Sequence, residues 1–321
     1  MNLKTAAAFL ILVESSVSHA DACLASRGWQ LRGDIESRCE SMQAGGRTRT
    51  YRIYVPAHLA NPAPLIFVLH GGGGSGSAQE LITRGGFNRI ADREGIIVVY
   101  PDGVGRNWND GRSEVNSPAF QENVDDVGFF KALLERIADK YPIDRKRVFA
   151  TGLSNGGFMS YRLACEAADT FLAVAPVVAG LSVDLGPRCQ PKRPVSVAIL
   201  NGTEDPFVPW EGGYVKALGI KRGQTWSALK TYEKWIELDA CKVRFDEPEV
   251  NKVPDDDTSF KRHRATSCAG GAEVRLDEIR GGGHTWPRGM RYLSVGIVGR
   301  ISQELDAATE IWSFFKSVPA Q

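Results

Sequence analysis

The segment Gly152-Leu153-Ser154-Asn155-Gly156 is the feature of the sequence that most constrains the fold. An apolar run at residues 147–150 precedes it and predicts a buried strand, and residues 158–168 after it have the pattern of a helix. A Gly-x-Ser-x-Gly segment at such a junction predicts a tight turn that holds the serine in a strained conformation. Glycines suit this turn because a Cβ would clash where the backbone folds back. The pentapeptide alone is weak evidence in a chain with 34 Gly, so its meaning depends on the rest of the sequence.

Short apolar runs alternate with helical patterns along the chain. Strands are predicted at residues 51–55, 65–69, 96–100, 147–150, 171–178, 195–200 and 273–279. Helices are predicted between the glycine loop and Gly95 and at 125–141, 158–168, 224–238 and 305–315. Uniformly apolar strands are typical of a parallel sheet buried on both faces. We therefore predict an α/β fold with a mostly parallel central sheet and helices on both faces. No repeat or linker interrupts the pattern, so residues 48–321 are predicted to form a single domain.

The first residues have the pattern of a secretory signal peptide. Lys4 supplies a positive start, an apolar run follows, and Ser18-His19-Ala20 resembles a cleavage site. The apolar run is too short to span a bilayer, and no other stretch is a candidate membrane span. We predict a signal peptide at residues 1–20, export to the extracellular space or periplasm, and an N-terminal extension at 21–47. The alternative is a lipoprotein anchor at Cys23, although Ala20-Asp21-Ala22 matches a lipobox poorly.

The chain contains 6 cysteines, all after the predicted signal peptide. An even number of cysteines in an exported protein favours disulfides. Neighbours in the sequence suggest three pairs among the fifteen pairings that six cysteines allow, namely Cys23–Cys39, Cys165–Cys189 and Cys241–Cys268. No CxxC spacing occurs, so neither a metal site nor a redox site is predicted.

The composition argues against a nucleic-acid partner. Hydrophobic residues make up 43% of the chain, charged residues 24%, and the net charge is +1. These values are ordinary for a domain with a sizeable core. The basic cluster at residues 261–264 is predicted to be a solvated loop.

A serine hydroxyl becomes an effective nucleophile only when a base accepts its proton and a further group orients that base. His284 is the predicted base, because it lies in the glycine-rich segment Gly281-Gly282-Gly283-His284 directly after a predicted strand. The other four histidines are assigned elsewhere: His19 to the signal peptide, His58 to a polar turn, His70 to the glycine loop that it shapes, and His263 to the basic cluster.

The orienting acid is expected between the serine and the histidine in the chain order of this motif class. Asp205 is the predicted acid, because it follows the buried strand at 195–200, and catalytic groups collect at the carboxyl ends of parallel strands. Glu204 is the alternative. Asp239 is predicted to be solvated near a helix end, and the sequon Asn201-Gly202-Thr203 is interpreted as part of the turn.

Acyl transfer passes through an oxyanion that backbone N–H groups stabilise. One predicted donor is Asn155, the residue after the serine, and the other is Gly72 or Gly73 in the glycine loop that follows the strand at 65–69. A phosphate-binding loop is excluded by pattern, because no Gly-Lys-Ser/Thr follows. Trp108 and Trp286 lie beside these loops and are predicted to line a pocket for an apolar or aromatic group.

Several motifs together resemble a known family. They are Leu69-His70-Gly71-Gly72-Gly73-Gly74, Tyr100-Pro101-Asp102-Gly103, Trp108-Asn109, Asp125-Asp126-Val127-Gly128-Phe129, Gly152-Leu153-Ser154-Asn155-Gly156-Gly157, Gly202-Thr203-Glu204-Asp205-Pro206 and Gly282-Gly283-His284-Thr285-Trp286-Pro287. This combination, over residues 48–316, resembles the esterase family of poly(3-hydroxybutyrate) depolymerases and the related feruloyl and acetylxylan esterases.

The resemblance implies an α/β-hydrolase fold, a triad of Ser154, His284 and Asp205, and no cofactor. It also supports the Cys165–Cys189 and Cys241–Cys268 pairings. The implied activity is that of a secreted serine carboxylesterase. Its expected partner is a small or oligomeric ester, either a feruloyl or acetyl ester of plant-wall polysaccharide or a hydroxyalkanoate oligomer derived from polyester. Attack on crystalline polymer is not expected, because the chain shows neither a linker nor a polymer-binding domain.

Two other functions share parts of this pattern. A serine peptidase or an acyltransferase can use the same triad, so the sequence leaves both open. A non-catalytic binding module would be expected to have lost at least one triad residue, and none is lost here.

Overall fold

The computed structural model describes residues 37–320. The predicted signal peptide and Cys23 lie outside the described residues. Within this range the predicted α/β class and single domain are confirmed.

The strands form one large sheet and one separate hairpin. Their bounds are β1 Arg38–Ala44, β2 Arg47–Tyr54, β3 Ala63–Leu69, β4 Ile97–Pro101, β5 Ile143–Leu153, β6 Ala173–Val177, β7 Ser196–Gly202, β8 Gly213–Ala217, β9 Ile220–Thr225, β10 Val243–Asp246, β11 Ser259–Thr266 and β12 Val274–Arg280. The order in the large sheet is β1-β2-β4-β3-β5-β6-β7-β12-β11-β10. Neighbouring strands from β4 to β12 are parallel, and both edges are antiparallel.

Helices cover both faces of this sheet. Their bounds are α1 Gly76–Ile82, α2 Gly86–Glu94, α3 Pro118–Gln121, α4 Asp126–Ala138, α5 Asn155–Glu166, α6 Ala228–Leu238, α7 Val295–Val298 and α8 Ala307–Ser317. Alternate residues of β3 enter two different core clusters: Phe67 packs in the cluster of α4, α5 and α6, whereas Ile66 packs in the cluster of α2 and α8. The period-two alternation of a strand therefore buries both faces, as a uniformly apolar run predicts.

Most of the strands that the sequence did not predict are polar. β1 lies within the predicted N-terminal extension, β9 overlaps the predicted start of a helix, and β10 and β11 lie in a polar region. The basic cluster at 261–264 is therefore not a solvated loop but part of β11. Its side chains are paired across the sheet, as in the contacts of Arg262 with Asp277 at 2.8 Å and of Arg264 with Glu273 at 2.8 Å. Ion pairs replace the apolar alternation that marks an ordinary strand.

Two of the three predicted disulfides, Cys165–Cys189 and Cys241–Cys268, are present. The pairing of Cys39 with Cys23 stays a prediction, because Cys23 lies outside the described residues. Among residues 37–320, none of the helices has both the length and the apolar character needed to cross a bilayer.

Asp239 is buried directly after α6, so the prediction that it is solvated is wrong. Its Oδ1 accepts a hydrogen bond from the N–H of Val195 at 3.1 Å, in the segment that enters β7. Its Oδ2 is buried with no hydrogen-bond partner among the described residues. Burial raises the pKa of Asp239 to about 7, against the smaller opposing effect of the Val195 hydrogen bond.

We expect Asp239→Asn to remove a loss of stability that the wild type shows between pH 3.8 and about 7. Because the folded-state pKa is raised above its ordinary value of 3.8, the protonated carboxyl contributes stability that is complete below pH 3.8 and is lost as the pH rises through about 7. The rise in the pKa from 3.8 to about 7 corresponds to about 4 kcal/mol of the free energy of unfolding. Thermal unfolding at pH 5 and pH 8 should show a smaller drop in Tm for Asp239→Asn than for the wild type.

The matched control is Glu237→Gln, because Glu237 lies on the same helix with its side chain 72% exposed. This variant should retain the wild-type difference in Tm between the two pH values. An Asp239→Asn variant that loses as much Tm as the wild type would contradict the prediction.

Candidate active site

Ser154 occupies the strained turn that the glycine pattern predicts. Ser154 lies between β5 and α5, with a φ of 54° and a ψ of −116°. Its N–H donates to the carbonyl of Val177 at 2.9 Å. A Cβ at Gly152 would lie 2.7 Å from the carbonyl carbon of Gly156, and a Cβ at Gly156 would lie 2.5 Å from the carbonyl oxygen of Leu69. Both positions therefore require glycine, because real Cβ contacts are not this short.

Asp205 and His284 form a buried hydrogen-bonded pair. His284 Nδ1 lies 2.7 Å from Asp205 Oδ2, and the side chains are 4% and 1% exposed, respectively. Asp205 Oδ1 accepts the N–H groups of Phe207 at 2.7 Å and Val208 at 2.9 Å. Because a carboxylate accepts hydrogen bonds, the proton between the two side chains lies on His284 Nδ1. The other ring nitrogen, Nε2, can then act as an acceptor. The alternative acid, Glu204, points to the surface and pairs with Arg300 at 2.8 Å.

Sheet topology brings the three residues to one edge. Ser154 follows β5, Asp205 follows β7 and His284 follows β12, and these strands all run in the same direction. The acid and base loops touch, because a Cβ at Gly202 would lie 2.2 Å from the carbonyl oxygen of Gly282. The carboxyl edge of the sheet therefore collects the predicted site residues.

The glycine loop after β3 lies against the serine turn. A Cβ at Gly71 would lie 3.6 Å from the Cβ of Ser154, and a Cβ at Gly72 would lie 3.7 Å from the Cβ of Asn155. The N–H of Gly73 donates instead to the carbonyl of Arg106 at 2.8 Å. Of the two predicted glycine donors, Gly73 thus already has a partner within the protein.

His70 shapes this loop, as predicted. Its Nε2 accepts the N–H of Gly103 at 2.9 Å, and its Nδ1 lies 2.8 Å from the carbonyl of Gly71. The first contact requires an unprotonated Nε2, so the neutral ring is the form that fits. Burial lowers the pKa of His70 from 6.5, against smaller opposing contributions from the hydrogen bond to Gly71 and the charge of Asp102.

The two tryptophans predicted to line a pocket belong to the core. Trp108 is 0% exposed, and its Nε1 donates to the carbonyl of His70 at 3.0 Å. Trp286 is 2% exposed and packs edge-on against Phe87. Neither ring presents surface to a substrate in this structure, which corrects the expectation of a tryptophan-lined pocket. Proximity in sequence to a site loop did not reveal which way each ring turns.

Phe207, Tyr292 and Asp110 are site residues that sequence reasoning missed. The half-buried ring of Phe207 lies 4.9 Å from the imidazole of His284, centroid to centroid. The hydroxyl of Tyr292 donates to the carbonyl of His284 at 2.5 Å. Asp110 accepts a hydrogen bond from the side chain of Asn155. Phe207 could have been noticed from its place two residues after the acid, whereas no pattern marks the other two.

A comparison with protein families assigns most of the described chain to one family. The family model named Esterase, with the description "Putative esterase", matches residues 42–243. The chain belongs to the Esterase family. This confirms the predicted esterase membership and the predicted enzyme class, a carboxylic ester hydrolase.

Curated relatives of this esterase carry related names. "Putative esterase NocK" of Nocardia uniformis subsp. tsuyamanensis is 31% identical over 284 residues, which is 86% of this chain and 81% of the relative. "Feruloyl esterase B" of Piromyces equi is 31% identical over 69% of this chain and 39% of the relative. "Probable feruloyl esterase C" of Aspergillus niger is 31% identical over 53% of this chain and 59% of the relative. The matched region thus spans less than two thirds of both feruloyl esterases.

Solved structures support the fold of this esterase. The acetyl xylan esterase from Aspergillus awamori has a TM-score of 0.54 at 14% identity, over 87% of this chain and 99% of that chain. A thermostable esterase has a TM-score of 0.50 at 18% identity, over 76% of this chain and 54% of that chain. The predicted α/β-hydrolase fold is confirmed.

Protonation of His70 is expected to weaken the fold under the site. Because the folded-state pKa is lowered below 6.5, the neutral ring contributes stability that is complete above pH 6.5 and is lost as the pH falls toward the folded-state pKa. Thermal unfolding at pH 7.5 and pH 5.5 should therefore show a larger drop in Tm for the wild type than for His70→Gln. His58→Gln, at an exposed histidine, should behave as the wild type does. Equal drops for His70→Gln and the wild type would contradict this assignment.

Proposed function

We propose that this esterase is a secreted serine carboxylesterase that works through an acyl-enzyme. The observation that carries the proposal is the buried hydrogen bond of 2.7 Å between Asp205 and His284, at the sheet edge where the strained Ser154 lies. In this mechanism the Ser154 hydroxyl attacks the ester carbonyl, and the alcohol leaves as the acyl group is transferred to Ser154 Oγ. In the second step water attacks the acyl-enzyme, the bond to Ser154 Oγ breaks, and the acid leaves as Ser154 regains its proton.

His284 moves the proton in both steps. Its Nδ1–H is committed to Asp205, so Nε2 takes the proton from Ser154 and later gives it to the leaving alcohol. The carboxylate of Asp205 stabilises the imidazolium that forms between these events. The N–H groups of Phe207 and Val208 hold the other carboxylate oxygen and so maintain the orientation of the pair.

The oxyanion is held by the backbone N–H groups of Asn155 and Gly72. Asn155 is the first residue of α5, and the N–H groups of a first helical turn have no partner within the helix. Gly72 is preferred to Gly73, because the Gly73 N–H already donates to the carbonyl of Arg106. Two such donors stabilise the negative oxygen more in the transition state than in the bound ester.

The proposed substrates are feruloyl or acetyl esters of plant-wall polysaccharides, with hydroxyalkanoate oligomers as the second class. The names of the feruloyl esterase relatives support the first class. The half-buried ring of Phe207 beside His284 offers an aromatic surface that suits an apolar or aromatic substrate group. Secretion is supported by the leader pattern of residues 1–20 and by two disulfides, which persist in oxidising compartments.

A serine peptidase or an acyltransferase is the alternative on the same scaffold. Assays of the wild type with matched ester and amide substrates, with and without an acceptor alcohol, separate these activities. The proposed esterase should cleave the ester at least about 10³-fold faster than the amide, since the leaving group of the ester is much better. Transfer to the alcohol in excess of hydrolysis would favour the acyltransferase.

Ser154→Ala is expected to lower kcat on a p-nitrophenyl ester by at least about 10³-fold, because the variant lacks the attacking oxygen. The matched control is Ser160→Ala, since Ser160 is buried on the same helix and its hydroxyl donates to the carbonyl of Gly156. That control should keep kcat within about threefold of the wild type. Thermal unfolding verifies that both variants fold, and near-wild-type turnover by folded Ser154→Ala would eliminate the mechanism.

The substrate proposal predicts a ranking of kcat/KM. Methyl ferulate and acetylated xylan should be hydrolysed faster than hydroxybutyrate oligomers, and amorphous polyester should be hydrolysed slowest. Phe207→Ala should reduce kcat/KM for methyl ferulate by about 10-fold and by less for methyl acetate, because the lost ring area matters only to the larger group. Equal losses for the two esters would leave Phe207 without a role in selectivity.

A further inference from the structure

The side chain of Asn155 is fully engaged in hydrogen bonds. Its Oδ1 accepts the N–H of Trp108 at 2.8 Å, and its Nδ2 donates to the carbonyl of Trp108 at 3.1 Å. The second Nδ2 proton is available for the carboxylate of Asp110, whose Oδ2 lies 2.5 Å from Nδ2. The residue whose backbone is proposed to bind the oxyanion is therefore attached by its side chain to residues 108–110.

The Asp110 carboxylate and both backbone groups of Trp108 select the same orientation of this amide. With Nδ2 toward Asp110, every contact joins a donor to an acceptor. A flipped amide would direct Oδ1 at the carboxylate and at the carbonyl of Trp108, and it would direct Nδ2 at the N–H of Trp108. All three contacts would then be repulsive, so the Asp110 carboxylate and the backbone of Trp108 together determine how Asn155 is held.

A buried arginine fixes Asp110 in turn. Arg112 Nη2 lies 2.6 Å from Asp110 Oδ2, and the two side chains are 4% and 2% exposed. The Arg112 guanidinium also donates to the carbonyl of Arg222 and lies 4.0 Å from the ring centroid of Phe158 on α5. The carboxylate is thus held rigidly next to the start of the helix that carries the oxyanion donor.

The same segment holds the other wall of the oxyanion site. The carbonyl of Arg106 accepts the N–H of Gly73, and the indole N–H of Trp108 donates to the carbonyl of His70. Residues 106–110 therefore connect the glycine loop to the first turn of α5. A shift of this segment changes the distance between the N–H groups of Gly72 and Asn155.

We propose that Asp110 is a positioning residue that sets the geometry of the oxyanion site through the amide of Asn155. This inference rests on the proposed function, since it assumes that the N–H groups of Asn155 and Gly72 receive the oxyanion. Asp110 does not touch the substrate. Its effect falls on the transition state, because the geometry of the two donors matters when negative charge develops on the ester oxygen.

Asp110→Asn is expected to lower kcat by about 10- to 100-fold with KM within about threefold of the wild type. Small displacements of a preorganised site have effects of this size on the chemical step. Affinity for a trifluoromethyl ketone that forms a tetrahedral adduct should fall in the same proportion as kcat, because such an adduct reports on transition-state binding.

A double-mutant cycle tests whether Asp110 acts through Asn155. Asn155→Ala keeps the backbone N–H and removes the amide, so it should show the same loss of kcat at nearly constant KM. Adding Asp110→Asn to Asn155→Ala should lower kcat by no more than about threefold further. Additive losses in the double variant would overturn the inference.

Asp277→Asn is the matched structural control. Asp277 is fully buried and lies 2.8 Å from the partly buried Arg262 and 3.0 Å from the buried Arg275, so its loss also leaves a buried arginine without its carboxylate. This variant should lose thermal stability and keep kcat and ketone affinity within about threefold of the wild type. Equal changes in ketone affinity for Asp110→Asn and Asp277→Asn would mean general loosening and would refute the positioning role.

Two further variants complete the test. Asp110→Glu keeps the charge beside Arg112 and moves the acceptor by one methylene, so it replaces Asp110→Asn if that variant does not fold. A loss of kcat at constant KM supports the proposal, and wild-type kcat overturns it. Ser154→Ala separates the two levels: if it stays active, the proposed function fails, whereas an inactive Ser154→Ala beside a fully active Asp110→Asn refutes only the role of Asp110.

Discussion

The strained turn at Ser154 is the constraint on which the rest of the site depends. A residue with a side chain at a φ of 54° costs about 1–3 kcal/mol and persists only where its surroundings over-determine it. Here the Ser154 N–H is taken by Val177 at the end of β6, and Gly156 packs on the carbonyl of Leu69 at a distance that excludes any Cβ. Three adjacent parallel strands thus hold the turn, and this is why an α/β sheet suits a nucleophile at that position.

Buried ion pairs surround the same edge of the sheet and supply orientation more than stability. Desolvation offsets most of the attraction in such a pair, although removing one partner is strongly destabilising. Asp126 lies 2.8 Å from Arg49, and its second oxygen accepts the N–H of Asn109. Asp110 and Arg112 fix the next turn of the same loop. Each buried pair thereby holds a backbone group near Ser154 in a defined position.

Much of the site can be predicted from the sequence because its elements are local. Ser154, Asp205 and His284 each follow a strand that apolar pattern reveals, and parallel topology brings strand ends together without further information. The orientation of a side chain is not local. Trp108 looks like a pocket residue in the sequence, and only the position of the glycine loop above it shows that its ring is covered. The apolar pattern does not predict β10 and β11 either, because the polar side chains of β11 are paired with carboxylates on and beside the neighbouring β12.

Two asparagine side chains pair with backbone groups as a neighbouring strand would. Asn155 bonds to both backbone groups of Trp108, and Asn201 bonds in the same way to Ala179, with distances of 3.1 Å from N to Oδ1 and 2.9 Å from Nδ2 to O. An amide side chain presents an N–H and a C=O as a peptide group does, so it can pair with a backbone segment in place of a neighbouring strand. The same pairing buries the amide of the Asn201-Gly202-Thr203 sequon and leaves it no freedom to accept a glycan. These contacts involve neither the hydroxyl of Ser154 nor the imidazole of His284, yet they hold the segments next to the serine turn in place.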